Sequence, residues 1–366
     1  MTNFPKTWSE HDQKVRPYVW SHRFVSYARL LLGLAFLVFG FKRKIFWGWQ
    51  MEIEAWAAHP WVAWLAYFGL LGVTWEILSF PASFASYRVE RSFGLSRQKV
   101  GAWFIDQMKG WGVGAVLGAI ILSALFWVVR ICGQSWWAFA ATFLVLFSIL
   151  LAQLAPVLFI PLFFKLKPLP AGELKERLLA LCQKFQIHVK EIYHLGMGEK
   201  TEKGNAAFTG LGRTKRILIG DTLYEKYPAD QVEAVFAHEL GHQVHNDLWK
   251  GIFFSTFWIY LGFYVTNRVF GGMQEEISRP LGMLIFFLLF TLIQIPIGVL
   301  QAAYSRNRER AADAFAAETT KLSVPLADSL ERLTLQNWGY FHPNPILEFL
   351  TYSHPAPWRR ITRLRK

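Results

Sequence analysis

The stretch Asp230-Gln231-Val232-Glu233-Ala234-Val235-Phe236-Ala237-His238-Glu239-Leu240-Gly241-His242-Gln243-Val244-His245-Asn246 decides how this chain is read. Pro228 just ahead of it suits a first helical turn, no proline interrupts it, and Val232, Val235, Phe236 and Leu240 recur at helical spacing. The segment is therefore a helix, and it carries H-E-x-x-H at 238–242. On a helix, His238 and His242 project from one face, one above the other, so both imidazoles can reach one metal ion at about 2.0–2.1 Å. Glu239 lies about 100° further round. That offset keeps its carboxylate out of ligation but near an open coordination position, where it can take a proton from water and pass it to a leaving amine. Zinc, one per chain, is the ion this donor set suits. Gly241 costs about 0.5–1 kcal/mol relative to alanine and marks a close approach by a neighbouring element. His245 extends the histidine row, but the longer zinc pattern needs Gly at 245 and His at 248, where this chain has His and Leu. His245 reads as polar surface.

Outward from this helix the chain turns strongly apolar. Its 366 residues are 53% hydrophobic and its mean hydropathy is +0.23, more than a soluble domain of this size carries. Candidate membrane spans lie at 24–41, 61–84, 113–131, 137–164, 251–270 and 281–304, each near the roughly 20 residues needed to cross the hydrocarbon core. Trp47, Trp49, Trp61, Trp136 and Trp137 near the ends of these runs suit an interfacial aromatic belt. With both termini inside, the outer loops hold only Lys42, Arg43, Lys44, Arg130, Arg268 and Arg279 of the chain's 39 Lys and Arg. The excess of positive charge on the other side fixes the orientation, with the metal site on the cytoplasmic side. The first apolar run begins at Phe24 without a small-residue cleavage site, so it reads as a retained anchor. A net charge of +13 raises nucleic acid as a partner. The basic residues form no patch interleaved with stacking aromatics, however, and that partner class is excluded. The two cysteines, Cys132 and Cys182, make no disulfide framework and no Cys/His cluster.

The expected fold is mainly α: a polytopic bundle of about six or seven spans with a small α+β zincin-like (gluzincin) insert carrying the H-E-x-x-H helix. Four parts follow: an N-terminal bundle of four spans (1–164), the catalytic insert (165–250), two further membrane helices (251–304) and a C-terminal segment (305–366). Within the insert, helical periodicity covers 171–185. Short β-type runs at 187–195, 205–210 and 214–220 imply a small sheet with a hairpin. Gly110, Gly114 and Gly118 repeat at four-residue spacing and predict close approach of another helix. Pro296 inside the last span predicts a kink.

Catalytic zinc wants a third protein ligand and an open fourth site. Glu309, on a helical continuation of the last span with small Ala311 and Ala312 beside it, is the best candidate. Asp313, four residues on, shares its face and could accept the second ring N–H of a ligating histidine. On spacing alone both acids could equally be surface partners of Arg306, Arg308 and Arg310. His194, Asp221, Glu318 and His354 compete for the ligand role.

The motif His238-Glu239-Leu240-Gly241-His242, a membrane pair and then Ser305-Arg306-x-x-Glu309-x-x-Ala312-Asp313 resemble the CAAX prenyl protease 1 family of membrane zinc endopeptidases. The likeness extends through Tyr87-Arg88, Phe93-Gly94-Leu95-Ser96, Asn205-Ala206-x-Phe208-x-Gly210, Lys215-Arg216-Ile217, Asp221-Thr222-Leu223 and Ser353-His354-Pro355, and so covers most of the chain from about residue 80. It implies Glu309 as third ligand, Asp313 as the acid supporting the site, Asn205 and Ala206 at a substrate strand, and His354 facing the reacting peptide to stabilise its oxyanion. It implies a peptide or protein substrate, prenylated or not, added as an extra strand along 205–210, with membrane lipid as the other partner. Family members in eukaryotes remove the C-terminal tripeptide of prenylated CAAX proteins and carry seven membrane helices with longer polar insertions, which this chain lacks. A compact protein of a bacterial inner membrane or of the endoplasmic reticulum fits, and so does a quality-control protease with no prenyl requirement. From other classes, a metal-binding transporter would place its ionisable residues in the middle of spans; here they sit at span exits, with Glu76 and Asp106 the exceptions near or within hydrophobic stretches. A catalytically inactive scaffold would keep the motif without turnover.

Overall fold

The computed structural model describes residues 6–189, 191–212, 215–270 and 274–366. Five helices form its N-terminal part: α1 (Lys6–Lys42), α2 (Ile45–Trp56), α3 (Pro60–Ser92), α4 (Val100–Ile131) and α5 (Trp136–Leu154). After a π-turn at Ala155–Phe159 and the short α6 (Ile160–Phe163) comes the mixed insert. It runs β1 (Leu166–Pro168), α7 (Glu173–Lys184), β2 (Ile192–Leu195), β3 (Ala206–Thr209), β4 (Arg216–Gly220), α8 (Asp221–Tyr224) and α9 (Ala229–Val244). The chain returns through α10 (Asp247–Val269), α11 (Gln274–Ile277) and α12 (Pro280–Thr320), and closes with α13 (Ser323–Gln336), α14 (Pro345–Thr351) and α15 (Pro357–Leu364). The expected mainly α architecture with a small sheet is what the molecule has.

Among the described residues, five helices are long and apolar enough to cross a membrane: Lys6–Lys42, Pro60–Ser92, Val100–Ile131, Gly133–Phe163 and Pro280–Thr320. Only 6% to 22% of the most apolar stretch of each is buried within the molecule, so these surfaces must be covered by lipid. The sixth expected span, 251–270, coincides with α10, whose 23 residues are long enough but less apolar. Two of its polar side chains are met by a neighbouring helix. Asn267 Oδ1 accepts from Trp136 Nε1 at 2.9 Å, and the Tyr260 and Thr142 hydroxyls meet at 2.6 Å. Trp64, Phe126, Trp136, Phe263 and Phe286 fill the core of this bundle. The glycine row at 110, 114 and 118 behaves differently from the expectation, because a Cβ at any of the three would meet nothing within 4 Å. Helix α4 packs instead through Trp103, Leu125, Phe126 and Val129.

The sheet has order β1-β2-β4-β3, with β2 and β4 parallel and β3 and β4 an antiparallel hairpin, which leaves β3 on an edge. The strands are shorter than the β-type runs at 187–195, 205–210 and 214–220, and residues 213 and 214 lie outside the described set. Strand β1 was hidden by Pro168, which an edge strand tolerates. The π-turn ties bundle to sheet. Ile160 N–H bonds back to Ala155 O, five residues earlier. In that register the partner of Pro156 O would be residue 161, a proline with no N–H. Arg216 on β4 supplies the missing donor at 2.7 Å.

Helix α12 positions the site. Its 41 residues span about 60 Å at 1.5 Å each, roughly twice the hydrocarbon thickness, so its C-terminal turns stand clear of the membrane part. It runs through Pro296 as one continuous helix. Its C-terminal turns pack along α9. Gly241 permits the approach, since a Cβ at that position would stand 3.2 Å from Ala312 Cα and 3.0 Å from Phe315 Cδ1. Glycine and alanine thus bring the two helices together where the motif residues lie.

Candidate metal centre

His238 and His242 point from α9 and Glu309 from α12, and one ligand atom of each lies within 4.8 Å of the others. His238 Nε2 is 3.4 Å from Glu309 Oε2, and His242 Nε2 is 3.3 Å from Glu309 Oε1. Both Nδ1 atoms face outward onto carboxylates, Asp313 Oδ1 at 2.9 Å from His238 and Asp247 Oδ2 at 2.9 Å from His242. With each Nδ1–H donated in this way, the neutral tautomer presents a lone pair on Nε2 to the shared centre. Glu309 is 5% exposed and its Oε2 has no hydrogen-bond donor of good geometry. A buried carboxylate set between the Nε2 atoms of two imidazoles, each with its Nδ1 already turned onto another carboxylate, is a donor set that suits a divalent cation. The residues fit a divalent metal.

Two residues that sequence reasoning did not find complete the arrangement. Arg360 on α15 donates through Nε (2.8 Å) and a terminal nitrogen (2.6 Å) to the two oxygens of Asp313, and its other terminal nitrogen is 3.2 Å from Glu309 Oε2. Burial disfavours its charge, but Asp313 and Glu309 more than offset this and hold its pKa above the usual guanidinium range. Asp247, the partner of His242, is itself met by Arg308 Nε at 2.7 Å.

The remaining candidates separate clearly. His354, in the loop between α14 and α15, brings Nε2 to 3.3 Å from Glu309 Oε1. Glu239 is half-buried and interacts electrostatically with His354 and Arg360. Asn205 and Ala206 stand at the start of edge strand β3, which packs against α9, and Asn205 O accepts from Gly220 N at 2.8 Å. Asp221 is occupied by the backbone N–H groups of Met197, Gly198 and Thr222. His194 stacks near Tyr224. His245 is not plain polar surface, since its ring packs edge-on against Phe315 and its Nδ1 is buried.

Burial alone would lower the pKa of His238, yet the carboxylates of Asp313 and Glu309 raise it to about 9, and those of Glu309 and Asp247 raise that of His242 against the same burial. In the metal-free protein His238 therefore holds a proton below about pH 9. The stability it contributes in that form is complete below 6.5 and is lost as pH rises through about 9. A metal ion has to displace that proton, so its apparent affinity rises with pH across this window and levels off above it. Chelator-buffered titrations should show the apparent Kd falling by up to about tenfold per pH unit for each proton displaced between pH 7 and 9. A flat profile would contradict this assignment of the proton.

Residues 168–366 match peptidase family M48, and residues 10–165 match the CAAX prenyl protease N-terminal family, described as having five membrane helices. CAAX prenyl protease 1 of Saccharomyces cerevisiae is 28% identical over 324 residues, 82% of this chain and 71% of that one. An uncharacterized metalloprotease of Bacillus subtilis, YhfN, is 24% identical over 348 residues, covering 92% of this chain and 80% of its own. The crystal structure of S. mikatae Ste24p superposes with a TM-score of 0.89 at 25% identity, covering 98% of this chain and 89% of that one.

Proposed function

The chain belongs to peptidase family M48, and from that premise we propose that this membrane metalloendopeptidase uses zinc to cut extended segments of its substrates at the inner membrane interface. The observation that carries the reading is the convergence of His238, His242 and Glu309 on one point, with both imidazoles oriented by carboxylates. These three side chains would hold the ion. Bound there, zinc supplies Lewis acidity, which lowers the pKa of water from 15.7 to about 7 and polarises a carbonyl.

The chain's own residues do the rest. Glu239, one position from His238 but off the ligand face, takes the proton of the attacking water and returns it to the leaving amine nitrogen. His354, already at the mouth of the site, donates to the carbonyl oxygen as negative charge develops on it. The free edge of β3 offers main-chain donors and acceptors to an extended peptide, with Asn205 and Ala206 at the end where it enters. Main-chain pairing tolerates many side chains. The excess of Lys and Arg on this side supports the cytoplasmic placement of the site.

The matches to CAAX prenyl protease 1 enzymes support prenylated C-terminal CAAX segments as the substrate. Detergent-purified protein loaded with zinc should cleave a farnesylated CAAX peptide with kcat/KM at least about tenfold above that of the same peptide unprenylated, a difference of about 1.4 kcal/mol. Equal rates on both would remove the prenyl preference and favour a general membrane protease. Cleavage of neither would contradict the substrate class.

A further inference from the structure

Three residues on one face of α12 register the C-terminal segment around the site. Glu309 meets His354, and Asp313, four residues later, grips Arg360 on α15. Arg306, three residues before Glu309, is the third, and it is 9% exposed. Its guanidinium donates to Tyr352 O, just past α14, at 2.7 Å and to Glu348 O, in the last turn of α14, at 3.1 Å. Glu348 O also accepts the Tyr352 N–H at 3.2 Å, so the guanidinium reinforces the last turn of α14 and caps the carbonyl just beyond it. On the far side of the loop, the carboxylate of Glu348, 7% exposed, accepts the backbone N–H of Ala356 at 3.0 Å. The tripeptide Ser353-His354-Pro355 is thus pinned at both ends, at residue 352 by Arg306 and at residue 356 by Glu348.

We propose that Arg306 and Glu348 are positioning residues that bracket the 353–355 loop and hold the His354 imidazole over the metal centre. Neither touches the reacting atoms. Their effect on turnover passes through His354 and so rests on the role given to that histidine above. The buried planar fork suits the task, because Arg306 can serve two carbonyls from one nitrogen while its plane lies near the Phe349 ring, 5.8 Å away. Losing either pin frees a loop whose side chain must be placed to within about 1 Å, a misplacement that can lower a rate about 100-fold.

The test uses full-length, zinc-loaded protein in detergent and five variants: Arg306→Met, Glu348→Ala, Glu348→Gln, His354→Ala and the double variant Arg306→Met/His354→Ala. Hydrogen exchange of the 349–356 amides should quicken in Arg306→Met and Glu348→Ala. In both, kcat should fall about 10- to 100-fold with KM and zinc content near wild type. Glu348→Gln keeps an acceptor for Ala356 N–H and should recover most of the turnover lost in Glu348→Ala. When Arg306→Met is added to His354→Ala, little further loss is expected, because both act through one group. Unchanged exchange in both single variants would overturn the bracket. Full multiplication of the two losses in the double variant would overturn action through His354. Wild-type turnover by His354→Ala would defeat the reading of that histidine, and the exchange arm would still decide whether the bracket exists. If Arg306→Met does not fold, as judged by its melting temperature and zinc content, Glu348→Ala carries the test alone.

Discussion

Glu239→Gln is expected to lower kcat about 100- to 10,000-fold while bound zinc stays near one ion per chain. The two readouts separate because of where the side chain stands. Glu239 is on α9 beside His238 but off the face that His238 and His242 share, so its removal leaves the donors intact. Glutamine keeps the size and can still hydrogen-bond to water. It cannot accept a proton at neutral pH, and only the proton transfer is lost. Loss of metal together with activity would mean that Glu239 supports the site in another way. Unchanged turnover would mean that the base lies elsewhere.

Asp313→Ala should strike stability and metal binding together. Asp313 is 2% exposed and takes both Nε and a terminal nitrogen of Arg360, whose own side chain is 10% exposed. Removing one member of a buried ion pair leaves a charge without its partner, at about 3–5 kcal/mol. The lower end applies here, because Glu309 stays within 3.2 Å of the guanidinium. A melting temperature lower by on the order of 10 °C is expected. The same change leaves His238 Nδ1 without its acceptor, so the imidazole is no longer fixed in tautomer or rotation. Metal affinity should then drop about 10- to 100-fold. Asp313→Asn, which keeps a hydrogen-bond acceptor, should lose less of both. Melting curves and chelator competition on the three proteins would check this, and wild-type values for Asp313→Ala would refute the coupling of the two sites.

What could be read from residues alone follows the reach of local rules. The H-E-x-x-H helix and the face shared by Glu309 and Asp313 are periodicity statements, and periodicity survives folding. So are the apolar spans, although α10 shows that a helix with hydroxyl and amide groups can lie among them with its polar atoms paired sideways. Asp247 escaped because it stands five residues beyond His242, a spacing that does not share a face on a continuous helix. The chain reverses at Asn246, which adopts a left-handed conformation at φ 55°, and so delivers Asp247 back to the imidazole. Asparagine tolerates that conformation better than most residues, and this was the available signal. Arg360 had none, being more than a hundred residues from His238 and placed only by tertiary packing. The beginning of α1 carries its own periodic signal. Trp8, Val15 and Tyr18 recur at helical spacing well ahead of the apolar run, and all three are buried. Trp8 stacks on Phe341 with ring centroids 4.9 Å apart, while Asp12 accepts from Phe341 N and His342 N at 2.7 and 3.0 Å. The first helix is therefore an anchor at one end and a strut for the C-terminal segment at the other.

The account stands on one ion shared by α9 and α12, and an anomalous-scattering map at the zinc edge from crystals of the zinc-loaded protein tests it most directly. It predicts a single peak about 2.0–2.2 Å from His238 Nε2, His242 Nε2 and a Glu309 carboxylate oxygen. A peak bound by other side chains, or one that leaves Glu309 out with no residue in its place, would contradict it.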